Sequence, residues 1–174
     1  MEVSGVEARD PKVQAWLEKA AAGRTSSLDL SKDEDRGLAL MNLISLEEHF
    51  YFTAVKTNDQ KYLDMLESVR EVRKAVQTDF LQDPQGEEWC IAKHLMAASI
   101  RLMEVGTKEL TAQNRAAAGR YFRYAFDLFS LCMALNMGAV EPGELKQELA
   151  ASEENTLLSK FSQLVKKLVD CCIE

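Results

Sequence analysis

Apolar residues recur along the chain at three- and four-residue intervals, the period of an α-helix with one buried face. No stretch alternates at period two as a half-buried strand would. Asp10-Pro11 supplies an N-cap and a first-turn proline, predicting a short helix through Trp16 and Leu17 that ends near Gly23. Residues 1–9 read as a flexible tail, and 10–174 as a single helical-bundle domain. Ser31 and Glu34 match the capping box, in which each side chain satisfies a backbone amide at the helix start, and predict a long helix from there to about Thr57. Asn58 and Asp59 break it, and Asp59 is placed to cap a second helix over about 60–81.

The run Asp83-Pro84-Gln85-Gly86 predicts a turn, since proline lacks an amide hydrogen and glycine tolerates backbone angles other residues avoid. A third helix is expected over about 87–111. Asn114 caps a fourth, which ends near Asn136 with Gly138 suited to the left-handed closing position. This fourth helix is apolar around more than half its circumference and is expected at the centre of the fold. Beyond Glu141-Pro142-Gly143, a short helical piece precedes a closing helix that starts near Ser152. Leu157, Leu158, Phe161, Leu164, Val165, Leu168 and Cys172 fall on one face of it. The expected fold is all-α: an antiparallel helical bundle of four long helices plus a short N-terminal helix and an amphipathic C-terminal helix.

Composition narrows the function classes. The chain has 174 residues, 47% hydrophobic and 28% charged, as a globular domain does and a disordered chain does not. The net charge of −7, with no run of Lys and Arg interleaved with aromatics, argues against nucleic acid as a partner. No apolar run approaches the roughly 20 residues of a membrane span, and the polar N-terminus lacks the pattern of a secretory signal. A cytoplasmic protein is expected. Cys90, Cys132, Cys171 and Cys172 contain no C-x-x-C pair and read as reduced, mostly buried thiols.

Several polar residues interrupt apolar stripes. Glu47 falls at the centre of the arc formed by Leu40, Leu43, Ile44, Phe50, Tyr51 and Ala54, and Arg73 falls inside the arc of the next helix with Arg70 on its flank. If the two helices form a hairpin about Asn58, Glu47 lies within a turn of both arginines, and an ion pair follows. On the third helix Cys90, His94 and Arg101 share one edge at spacings of four and seven. Together Glu47, Arg70, Arg73, Cys90, His94 and Arg101 form a candidate buried polar cluster. Such a cluster has two readings, a register-fixing salt bridge or a site for an anionic small molecule or a metal. Zinc needs three or four ligands, and Cys90 with His94 supplies two.

Other chemistries fail on residue type. With two histidines in the chain, a hemerythrin-like di-iron site lacks ligands, and neither His49 nor His94 has the Glu three residues before it that ferritin-like sites use. No Gly-rich phosphate loop, G-x-S-x-G or H-E-x-x-H is present. The expectation is a non-enzymatic protein without cofactor that acts through protein–protein association, with a homodimer as one form of it. The alternative is an anion- or metal-binding bundle built on Glu47, Arg73, Cys90 and His94. The closing-helix face of Leu157, Phe161, Leu164 and Leu168 is the candidate partner surface.

Overall fold

A computed structural model describes residues 30–81, 84 and 86–138, with side chains from residue 32. Among the described residues there are four helices and no strand: α1 (Leu30–Thr57), α2 (Lys61–Leu81), α3 (Glu88–Thr111) and α4 (Arg115–Asn136). The expected short N-terminal helix, the piece near 144–150 and the closing helix lie outside them.

The turns form for local reasons. Asn58 takes a left-handed backbone (φ 53°), which asparagine tolerates better than most residues, and its amide donates to the Ala54 carbonyl. Asp59 then caps α2: Oδ1 accepts from the Lys61 amide at 3.0 Å, while Oδ2 meets Lys61 Nζ at 2.9 Å. That lysine holds the Asp59 carboxyl below its ordinary value. α3 closes through two backbone bonds, from Asn114 to the Glu109 carbonyl and from Gln113 to that of Leu110, around a left-handed Gln113 (φ 62°). The Asn114 side chain accepts from the Ala117 amide and starts α4. Gly138 adopts the left-handed conformation expected of it (φ 61°).

One expectation fails at a helix end. The backbone is already helical at Leu30, so Ser31 sits inside α1 rather than at its cap. Asp33 is buried and meets Arg36 at 2.9 Å instead of solvating the first turn.

The core gathers at one end of the four helices. Leu40, Met41 and Ile44 of α1 meet Phe80 and Leu81 of α2, Ala92, Leu95, Met96 and Ile100 of α3, and Phe129 to Leu135 of α4. Three contacts show how α3 and α4 pair. Ser99 Oγ donates to the Ala125 carbonyl at 2.7 Å, the Cys132 thiol points at the Ala92 carbonyl at 3.8 Å, and the Phe122 ring lies against Gly106.

α4 is central over only part of its length. All seven residues from Phe129 to Leu135 are buried, yet in its first half only Ala117, Ala118 and Ala125 are, and Tyr124 is exposed. Burial thus runs all round the second half, whereas in the first it is confined to these three alanines.

Candidate functional site

The hairpin of α1 and α2 brings Glu47 to Arg73 as the residue pattern predicts: Arg73 Nε donates to Glu47 Oε1 at 2.9 Å. The network then runs further than expected. Arg73 Nη1 donates to Gln77 Oε1 at 3.2 Å, and Gln77 Nε2 donates to the Trp89 carbonyl at 2.6 Å. Gln77 is fully buried, and Trp89 is half-buried at the start of α3. A line of hydrogen bonds therefore ties α1 to α2 and α2 to α3 through apolar surroundings, where an unpaired polar group is costly. Gln77 was detectable in the sequence, one helical turn past Arg73 on the same face.

The remaining members do not converge on this pair. Arg70 is exposed. Cys90, His94 and Arg101 do share one edge of α3, but that edge faces solvent and all three are exposed. The candidate buried cluster is thus corrected to a line from half-buried Glu47 through buried Arg73 and Gln77, an exposed Arg70 and a separate exposed edge of α3. The reason is geometric. Spacing places residues on one side of a helix, and only the packing of α3 decides whether that side turns inward. Arg101 makes its own contacts, with Ser45 Oγ at 2.6 Å and Glu48 Oε2 at 3.3 Å on α1. Among the described residues no group of three His, Cys, Asp or Glu side chains could hold a metal.

The contact of Arg101 with Ser45 and Glu48 marks a boundary. On α1, Leu40 and Ile44 are buried, and at the same helical spacing the stripe continues through Glu48, Tyr51 and Val55. Beyond Glu48 it is uncovered: Tyr51 is 53% exposed and Val55 69%, with Phe52 beside them at 59%. α3 behaves alike. Met96 is buried, while Met103 and Leu110, at heptad steps along the same face, are exposed. In α2 no residue before Arg73 is buried, and Leu63 and Met65 are exposed. Two core-facing stripes thus lose part of their cover, with Ala54 still buried on α1, and present aromatic and aliphatic side chains to solvent. Tyr51, which the residue pattern puts in the apolar arc of α1, is thus exposed.

Leu157, Phe161, Leu164 and Leu168 lie outside the described residues. No helix among the described residues is long and apolar enough to cross a membrane. No known protein family, curated protein or solved structure matches this chain.

Proposed function

We propose that this chain is a non-enzymatic helical-bundle protein that acts by protein association, with a second copy of itself or another protein as the partner. The observation that carries the reading is the uncovered continuation of the core stripes: Tyr51, Phe52 and Val55 on α1 with Met103 and Leu110 on α3. Contiguous exposed apolar surface is retained at a cost to the isolated protein and marks interaction sites. Aromatic anchors such as Tyr51 and Phe52 contribute much of the energy where proteins meet. The Glu47–Arg73–Gln77 line is assigned to register, since its polar groups are spent on one another.

An antiparallel arrangement of the four helices belongs to this reading. It is supported by contacts that descend in α4 as they ascend in α3, with Ala92 against Cys132, Ser99 against Ala125 and Gly106 against Phe122. Glu47 against Arg73 supports the same relation for α1 and α2. A cytoplasmic setting is supported by Cys90 and Cys132, which are free thiols.

The test is the mass of the full-length protein in solution and as purified from its own source. The reading expects a species heavier than one chain, by a second copy or by another protein. Phe52→Glu with Val55→Glu should weaken the assembly at least tenfold while leaving the helical content unchanged, because both side chains are exposed. A bare monomer in both preparations, or an assembly indifferent to these substitutions, would overturn it.

A further inference from the structure

The exposed sides of α4 and α2 carry opposite charge. From Arg115 to Phe126, α4 has three arginines and no acidic residue, in a chain of net charge −7. Arg115, Arg120 and Arg123 are all exposed, and among the described residues none of them is in an ion pair. At about 100° per residue, Arg115 and Arg120 fall within ~80° of Arg123, with the exposed Ala116 and Gly119 between them. An added methyl at Gly119 would meet nothing within 4 Å, so the middle of this face is open. Tyr124 borders it, 52% exposed, with its ring edge-on to Tyr121 at a centroid distance of 6.4 Å. Cations in the first turns of a helix are opposed by the positive end of its dipole. The face therefore favours a carboxylate twice, through its guanidinium groups and through the helix that carries them.

α2 shows the converse. Glu67, Glu71 and Asp79 each fall within ~60° of Asp64 around the helix, and all four are exposed. Glu71 is held by Lys74 at 2.7 Å, while among the described residues Asp64, Glu67 and Asp79 are in no ion pair. Arg70 stands apart, ~120° round the helix from Asp64. Met65 and Val72, 45% and 53% exposed, border the acidic face as Tyr124 borders the basic one.

We propose that these faces bind each other between copies of the chain: α2 of one copy docks on α4 of another, carboxylates against arginines and Met65 with Val72 beside Tyr124. Both faces are exposed in the same chain, so neither is used in holding the fold. The small Ala116 and Gly119 let a helix approach to the usual ~8–10 Å axis separation. At 1.5 Å per residue, the ~12 Å from Arg115 to Arg123 matches the ~11 Å from Asp64 to Glu71. A nucleic acid is the poorer match, since the net charge of −7 repels a long run of phosphates. Exposed ion pairs hold little singly and are screened by salt, so the contact is weak and salt-dependent. It uses neither Tyr51, Phe52 and Val55 nor Met103 and Leu110, and stands independently of the association assigned to them.

The test uses the full-length chain carrying Phe52→Glu and Val55→Glu, in which that other face is disabled. Sedimentation equilibrium should show self-association that weakens at least tenfold between about 50 mM and about 500 mM salt. In the same chain, Arg120→Glu with Arg123→Glu, or Asp64→Arg with Glu67→Arg, should each weaken it at least tenfold by setting like charges against each other. An equimolar mixture of the two charge-reversed proteins should associate again, because each face then meets its opposite on the other protein. All four side chains are exposed, so circular dichroism should show unchanged helical content. A monomer at every concentration in low salt, association indifferent to both reversals, or a mixture that stays monomeric would overturn the inference. These outcomes leave the association reading intact, since it is judged on how the otherwise unaltered chain responds to Phe52→Glu with Val55→Glu. Association unmoved by that pair and lost on charge reversal would overturn the earlier reading and support this one.

Discussion

Arg73 Nε donates to Glu47 Oε1 at 2.9 Å across the α1–α2 hairpin, although 26 residues separate the two in the chain. Their environments are unequal. The Arg73 side chain is 4% exposed and the Glu47 side chain 19%, so the carboxylate can turn toward water and the guanidinium cannot.

Removing the two partners should therefore not cost the same. Glu47→Leu strands a buried guanidinium and should destabilise the protein by about 3 kcal/mol, the lower end for a broken buried pair. Arg73→Leu leaves a carboxylate that can rehydrate and a Gln77 oxygen without its donor, and should cost about 1–2 kcal/mol. The double replacement should recover most of the larger loss, because an ion pair exchanged for well-packed apolar residues is often near neutral. Urea unfolding of the three variants measures this, and equal costs for the two single changes would refute the asymmetry.

Two helical glycines should respond in opposite directions to alanine. At Gly106 an added methyl would sit 2.6 Å from the Phe122 ring, closer than carbon atoms approach, and should cost about 1–2 kcal/mol from overpacking. Phe122→Leu should relieve part of that loss. At Gly119 nothing lies within 4 Å of the added methyl, so Gly119→Ala should stabilise by about 0.5–1 kcal/mol through helix propensity alone. Thermal unfolding of both variants reads the sign, and a stabilised Gly106→Ala would show that α3 and α4 are not packed this closely.

Alkaline pH should weaken the fold through Cys132. Complete burial pushes its thiol far above the ordinary value of 9.0. Between that value and the folded one, the unfolded chain has released the proton and the folded chain still holds it. Fewer protons on the unfolded side mean that stability falls as pH rises, by about 1.4 kcal/mol by one unit above the ordinary value. The contribution is fully present below pH 9. Cys132→Ala removes it, so the stability difference between wild type and variant should narrow by that amount from pH 8 to pH 10. A difference independent of pH would show that the thiol is not sealed. In the same experiment Cys90, which is exposed, should react rapidly with thiol reagents while Cys132 is spared.

Helix existence and most helix ends were legible in the chain, because they follow from neighbours in sequence. Asp59 and Asn114 cap the helices they precede, and Gly138 supplies a left-handed residue, each through bonds spanning a few positions. The Glu47–Arg73 pair was legible too, since two helices joined by a three-residue break have little choice of register. Gln113 carried no such signal, as glutamine is not a residue that favours a left-handed backbone.

What the periodicity could not say is which apolar stripes receive a partner. Leu40, Ile44, Tyr51 and Val55 lie on one line of α1, and nothing in their spacing separates the buried pair from the exposed one. That separation is made where Arg101 meets Ser45 and Glu48, beyond which α1 and α3 no longer cover each other. The same holds for Cys90 and His94, which the 3.6-residue period puts on one edge and the packing of α3 puts in solvent. A helix fixes the angular relations among its own side chains through its backbone hydrogen bonds. Burial belongs to the space between helices, and is decided only when all of them are in place.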